Sequence, residues 1–241
     1  MNLLPAFSKA SFAVLVFCLG LNPALAQEDF DDYSAGANPD PWEPVNRAVF
    51  RFNDTVDTYS LKPIAKTYDR FMPKPLNDGI SNVFNNLGEP KNFVNNTLQG
   101  KPHDAGVDLA RFLLNTMVGG LGVFDVATRM GLQRNDEDFG QTIGSWGVPS
   151  GPYVVLPLMG PSTVRDTGAR IPEHFARYTP ASRIDHVPTR NTTIGTDLVD
   201  TRAALLAQEG LIRGDRYTFV RNAFLQNREY KVRDGDVEDP F

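Results

Sequence analysis

One cysteine and three histidines in 241 residues leave little material for disulfides, thiolate metal sites or imidazole chemistry. The lone Cys18 excludes a disulfide framework. His103, His174 and His186 lie far apart, with no His-x-x-x-His or Glu-x-x-His pair to set two ligands on one helix face, so no metal site is expected. Basic charge is also short: 24 Lys+Arg against 29 Asp+Glu give a net charge of −5. That is the wrong sign for a surface that displaces counterions, and no nucleic-acid partner is expected. No apolar run approaches the roughly 20 residues of a membrane-spanning helix. Gly140-x-x-x-Gly144-x-x-Gly147 lacks dinucleotide-loop spacing, no Gly-Lys-Ser/Thr follows a glycine run, and no cofactor is expected. Gly147-Val-Pro-Ser150-Gly151 is one residue out of register with a nucleophile elbow, which leaves Ser150 a loop residue.

What the chain does have is a soluble-looking average, 41% hydrophobic with 10% aromatics, enough to fold as one or at most two domains. Its first 26 residues read differently: Lys9, the apolar stretch Ala10 to Leu21, the breaker Asn22-Pro23 and then Ala24-Leu25-Ala26. This is the layout of a secretory signal peptide, so 1–26 is expected to be removed and the protein exported. Cys18 has a second reading as the lipidated residue of a bacterial lipoprotein. Phe17 stands just before it, where a small residue is expected, so the layout favours cleavage after Ala26.

Residues 27–39 are acidic, lack apolar periodicity and read as a flexible leader. Asp40-Pro41 reads as a helix cap and first turn, followed by Val45, Val49, Phe52 and Val56 on one helical stripe. Ile64, Tyr68 and Phe71 suggest a short helix. Leu76, Ile80, Val83, Phe84 and Leu87 line one face of another, stopped by Glu89-Pro90. Its other face holds Asn77, Asn82, Asn85 and Asn86, with Asn92, Asn95 and Asn96 beyond the proline. Asparagine is a mediocre helix former, so these amides serve either caps and turns or a polar, uncharged internal surface. His103 to Val118 is helical with Val107, Ala110, Leu114, Met117 and Val118 on one side, and Phe112 to Phe124 is nearly free of polar side chains. That stretch is either a buried core helix or an element lying in a membrane interface. Arg129 to Glu137 is loop-like. Dense Gly and Pro around Tyr153 to Leu156 give an irregular segment or short strand. Asp197 to Glu209, capped by Gly210, and Asp215 to Val232 are helical, and 233–241 is an acidic tail. The sum is a mainly α, single-domain chain. Asp136, Glu137 and Asp138 are the one carboxylate cluster that could serve a hydrolase; a run of adjacent charges is usually a solvated surface, and no enzyme is expected.

Asp40-Pro41-Trp42-Glu43-Pro-Val-Asn46-Arg47-Ala-Val-Phe50-Arg-Phe52-Asn53 resembles the opening motif of the MlaA family, also called VacJ. Asn85-Asn86-Leu87-x-Glu89-Pro90, Asn96-x-Leu98-Gln99-Gly100 and Arg111-Phe112-Leu113-Leu-Asn115-Thr116 follow in order. Further on come Gly120-x-Gly122-x-Phe124-Asp125, Phe139-Gly140-Gln-Thr142-Ile-Gly144, Gly151-Pro152-Tyr153 and Arg165-Asp166. The resemblance covers 40–168 densely and 197–230 loosely, within a domain taken as 40–232. It implies a non-enzymatic role in intermembrane phospholipid transport, removing phospholipid from the outer leaflet of the outer membrane and so maintaining lipid asymmetry. It also implies a disc-like helical domain with interfacial, non-spanning helices lying in the inner leaflet, an amphipathic central channel, a trimeric porin beside it and a soluble periplasmic lipid carrier as acceptor. In that frame Asn82, Asn85, Asn86, Asn92 and Asn96 are candidates for the lipid path. Trp42, Phe112, Leu113, Met117, Val118 and Phe124 are candidates for the membrane face, with Tyr153 to Leu156 as a second inserted segment. Arg129, Gly131 and Leu132 lie where the family has a hairpin near its channel, and are candidate gating residues. Asp40, Pro41, Asn46, Arg47, Asn53, Gly151, Pro152, Tyr153, Arg165 and Asp166 are expected to be structural. A periplasmic hydrolase using Asp136 and Asp138, or a structural or virulence-associated surface protein, are the competing readings.

Overall fold

The computed structural model describes residues 39–176, 184–212 and 214–236. The expected signal segment with Cys18, the leader up to Asn38, the His174 side chain and the end of the acidic tail lie outside them. The elements below all belong to the unit Asp40–Phe241. Helices dominate, as the periodicity predicts: α1 (Glu43–Val56), α2 (Lys62–Phe71), α3 (Lys74–Leu98), α4 (Pro102–Met117), a short α5 (Val126–Arg129), α6 (Phe139–Ser145), α7 (Val164–Ala176), α8 (Val187–Ala204) and α9 (Arg216–Val232). A π-helical turn, Asp57–Leu61, joins α1 to α2. A 3-10 turn, Leu206–Leu211, follows α8. Strands β1 (Tyr153–Leu156) and β2 (Gly160–Thr163) pair antiparallel, with Tyr153 opposite Thr163. Among the described residues no helix is long and apolar enough to cross a membrane.

Several boundaries depart from the sequence expectation. Asp40 does not cap α1; it is buried and accepts a hydrogen bond from Asn46 Nδ2 at 2.7 Å, so it ties the chain entry to the helix flank. Glu89-Pro90 does not stop α3, which runs 25 residues with Pro90 inside it. A proline removes one backbone hydrogen bond, and side-chain bonds from Glu89 and Asn92 on either side hold the turn together. The helix expected from Asp197 begins ten residues earlier, at Val187, where His186 caps it by accepting from Thr189 N. Gly210 lies within the 3-10 turn and caps nothing. Tyr153 and Val155 are not an inserted segment, because both are fully buried in the small apolar nucleus with Tyr217, Phe50 and Phe224.

Burial along α3 and α4 is inverted. A helix of a water-soluble fold turns its apolar stripe to the core. On α4 the buried positions are instead Ala105, Asp108, Arg111 and Asn115, while Leu109, Leu113 and Met117 are exposed. On α3 the buried side chains are Asn86, Glu89, Asn92, Asn95 and Asn96. These two polar faces meet each other along the α3–α4 contact. Val45 and Phe52 of the α1 stripe are likewise exposed, and that helix buries Asn46. Two surface leucines hold left-handed backbone conformations, Leu121 at φ 61° after α4 and Leu158 at φ 62° in the hairpin turn. They are 75% and 70% exposed.

Candidate functional site

The polar interior is a continuous network. Arg111, 1% exposed, donates through Nε to Glu89 Oε1 at 2.7 Å and through Nη1 to Thr128 Oγ1 at 2.9 Å and the Leu132 carbonyl. Its Nη2 reaches Asp125, the side-chain cap of α5, at 3.3 Å. Asn92 donates to Glu89 Oε2 and to the Asn135 carbonyl, and accepts from Glu137 N. Asn96 Nδ2 donates to Asp108 Oδ2 at 2.7 Å. Burial, opposed only by that bond, and the charges of Glu89, Asp104 and Glu137 push the Asp108 carboxyl up to about 7. Most polar atoms of this network are partnered, as buried polar groups require, while Asn86 Oδ1, Asn96 Oδ1, Asp108 Oδ1 and Asn135 Oδ1 are among those without a hydrogen-bond partner.

The candidate path asparagines divide accordingly. Asn86, Asn92 and Asn96 are buried, with Asn86 Nδ2 donating to Thr116 Oγ1 at 2.9 Å. Asn82 and Asn85 are half-buried, and Asn82 donates to the Val123 carbonyl at 3.0 Å. None of the five lines the groove described below. Of the membrane-face candidates, Trp42, Leu113, Met117, Val118 and Phe124 are exposed, Met117 by 79%, and Phe112 is half-buried. Arg129 and Gly131 lie on the surface. Leu132 is pinned by Arg111 through its carbonyl, and Asn135 and Glu137 by Asn92, so the segment is anchored from Leu132 onward.

The structural candidates do three jobs. Asn46 and Asn53, two helical turns apart on α1, each grip the hairpin backbone twice. Asn46 donates to the Tyr153 carbonyl (3.0 Å) and accepts from Val155 N (2.9 Å). Asn53 donates to the Leu156 carbonyl (2.9 Å) and accepts from Leu158 N (2.8 Å). Both side chains thus imitate a neighbouring strand along β1 and its turn. Asp40 accepts from Asn46, Tyr217 and Arg221, and Arg47 pairs with Glu43 and Asp215 over the Tyr217 ring, so the chain entry is bound to α9. Pro41 is exposed, Pro152 is buried, and Gly151 has φ +67° with Val164 close by. Arg165 and Asp166 pair at 3.0 Å, and Asp166 meets Arg228 Nε at 2.7 Å.

The three carboxylates of the cluster take different partners. Asp136 faces Lys91 and Lys231. Glu137 is buried and accepts from Gln99 Nε2 at 2.8 Å. Asp138 caps α6 and takes both Arg228 amino groups at 2.6 Å. Burial alone would raise the Asp138 pKa, but the Arg228 bonds and charge outweigh it and hold the carboxyl well below the usual range. The solvated-run expectation therefore holds only for Asp136.

A groove of about 790 Å³ lies between α3 and α8. One wall is the stripe that periodicity picked out, Leu76, Ile80, Val83, Phe84 and Leu87, joined by Val123. The stripe was legible; that it faces a void instead of a core was not. The opposite wall is Thr189, Thr192, Thr193 and Thr196. Beyond the groove α8 is fixed by Asp200, which accepts from Tyr68 Oη (3.0 Å) and Ser81 Oγ (2.7 Å). Arg202, bound through two atoms to Asp57 and also to Glu209, adds a second tie. The described residues hold no cluster of metal-ligating side chains.

Exposed apolar side chains around a hydrogen-bonded polar interior are the pattern of a protein whose surface lies against lipid. Comparison with known proteins agrees. The family profile described as MlaA lipoprotein matches residues 38–231, and the chain belongs to that family. It is 37% identical over 208 residues to the intermembrane phospholipid transport system lipoprotein MlaA of Escherichia coli K12, covering 83% of this chain and 80% of the relative. It is 36% identical over 203 residues to the protein of the same description from Haemophilus influenzae, covering 82% and 81%. A solved structure described as the structural basis for maintenance of bacterial outer membrane lipid asymmetry matches with a TM-score of 0.70 and 36% identity, over 80% of this chain and 98% of that one.

Proposed function

We propose that this chain is the outer-membrane component of an intermembrane phospholipid transport system, taking phospholipid from the outer leaflet and passing it on so that lipid asymmetry is maintained. The groove between α3 and α8 is the observation that carries the reading: it pairs an aliphatic wall with a wall of threonines. A lipid has the same two sides, and moving it costs least where its polar part keeps hydrogen-bonding partners. The exposed apolar residues of α4 and its following loop suit the inner leaflet. Arg129 to Gly131 remains the candidate gate, now narrowed to the part before the Leu132 anchor. Asn82 and Asn85 remain candidates for lipid contact outside the groove. A trimeric porin beside the protein and a soluble periplasmic carrier complete the proposed route.

Native mass spectrometry after mild detergent extraction tests the reading. Phospholipid should copurify with the wild type and be lost from Val83→Trp, which fills the groove. Retention of lipid by that variant would place the path elsewhere. Porin in the same preparation supports that partner, and transfer of labelled lipid to a periplasmic fraction supports the carrier. Mass analysis of the mature N-terminus decides the anchor: Gln27 without lipid supports cleavage after Ala26, and an acylated Cys18 supports lipidation.

A further inference from the structure

The threonines of α8 fall at i, i+3, i+4 and i+7, so Thr189, Thr192, Thr193 and Thr196 form one stripe, and it faces the groove. The other side of the same helix carries Val187, Ile194 and Leu198, all exposed. Threonine is a poor helix former, and a helix that sets its threonines along a groove and its aliphatic side chains outward reverses the packing expected in water. Each hydroxyl is held on its own helix. Thr192, Thr193 and Thr196 donate to the carbonyls four residues back, all at 2.9 Å, and Thr189 Oγ1 meets His186 Nδ1 at 2.8 Å. Those bonds are local and individually weak, and each carbonyl keeps its helical partner if the hydroxyl turns away. The stripe is therefore a row of hydroxyls that can exchange an internal acceptor for an external one at small cost.

From this we infer that the two walls orient the cargo: acyl chains lie against Leu76, Ile80, Val83 and Phe84 of α3, and the phosphate and ester oxygens ride on the threonine stripe of α8. The inference rests on the lipid-path reading of the groove and adds which wall takes which part of the lipid. Ester and phosphate oxygens are acceptors common to all glycerophospholipids, and a row of hydroxyls one helical turn apart offers them successive, equivalent partners. A lipid can then move along α8 by stepping from one hydroxyl to the next while its chains stay on aliphatic surface.

Photolabelling of the full chain in phospholipid nanodiscs tests this directly. One probe is phosphatidylcholine with a diazirine in an acyl chain; the other is phosphatidylethanolamine with a diazirine on the head group. The chain probe should label α3 between Leu76 and Leu87, and the head probe should label α8 between Thr189 and Thr196. Labelling of both walls by both probes, or the reverse assignment, overturns the orientation while leaving the groove as the path. Absence of groove labelling by either probe overturns the path as well. A second measurement uses near-isosteric variants. Thr192→Val/Thr193→Val/Thr196→Val should slow lipid transfer roughly tenfold or more, as expected for losing several hydrogen bonds. Serine at the same three positions should restore it. Equal transfer by the valine variant, or serine failing as valine does, would make the stripe ordinary packing.

Discussion

Asp108 sits where a carboxylate is badly placed, with Oδ1 unpartnered among the described residues and Glu89, Asp104 and Glu137 nearby. The folded protein holds its proton up to about pH 7, against 3.8 for the free side chain. Folded protein thus binds more protons than unfolded chain between these values. Its contribution to stability is best below about pH 4 and declines as pH rises to 7, by about 4 kcal/mol at most. Asp108→Asn keeps an acceptor for Asn96, so it should flatten that decline; denaturation in detergent at several pH values measures it, and an unchanged slope would exonerate Asp108. Asp138 works in the opposite direction, since its depressed pKa adds stability that is lost as pH falls toward its folded value. Nearby, a Cβ added at Gly140 would stand 2.4 Å from Arg228 Nη2 and 2.5 Å from Asp166 Oδ1. Gly140→Ala should therefore cost about 3 kcal/mol by splitting a buried ion cluster, visible as an early unfolding transition. The sequence offered Gly140 only as a motif letter, because nothing in a chain reports which arginine from a distant helix closes over it.

At the scale of elements, the hairpin depends on α1. Removing the Asn46 amide leaves the Tyr153 carbonyl and the Val155 N–H without their side-chain partner in a buried setting, so Asn46→Ala should cost about 2–3 kcal/mol. Asn53 binds nearer the exposed turn, and Asn53→Ala should cost about 1 kcal/mol. Equal effects in chemical denaturation would contradict this grading. Periodicity found most helices here because it reports spacing, and spacing survives inversion. It misread the reach of α3 and α8 because its stop and start signals assume water outside. Pro90 reads as a terminus, yet polar side chains on both sides of it hold the helix together. Likewise the helix expected from Asp197 omits Thr189 to Thr196, yet these residues are helical and form the wall of a groove. The Glu89–Arg111 pair was invisible for another reason: 22 positions separate two residues that lie inside motifs but have no local signature.

For the molecule as a whole, hydropathy was a sound guide to which residues are apolar and a poor guide to where they go. Met117 and Leu121 are exposed apolar side chains on α4 and the loop after it. Met117→Asp/Leu121→Asp should leave chemical stability in detergent within about 0.5 kcal/mol, the range for surface substitutions, while reducing flotation with phospholipid vesicles. Unchanged flotation would assign the membrane face to another surface. The inverted burial also bears on the calorimetry of the protein. Folding that hides amides and ion pairs while leaving leucine and phenylalanine outside removes little hydrocarbon from the solvent by intramolecular contact. The heat-capacity change of unfolding, about 12–15 cal/mol/K per residue for ordinary globular proteins, should accordingly be small when measured in a micelle or bilayer. The stability curve would then be flat in temperature, and most of the hydrophobic free energy would belong to the partition of the folded protein into lipid rather than to its folding.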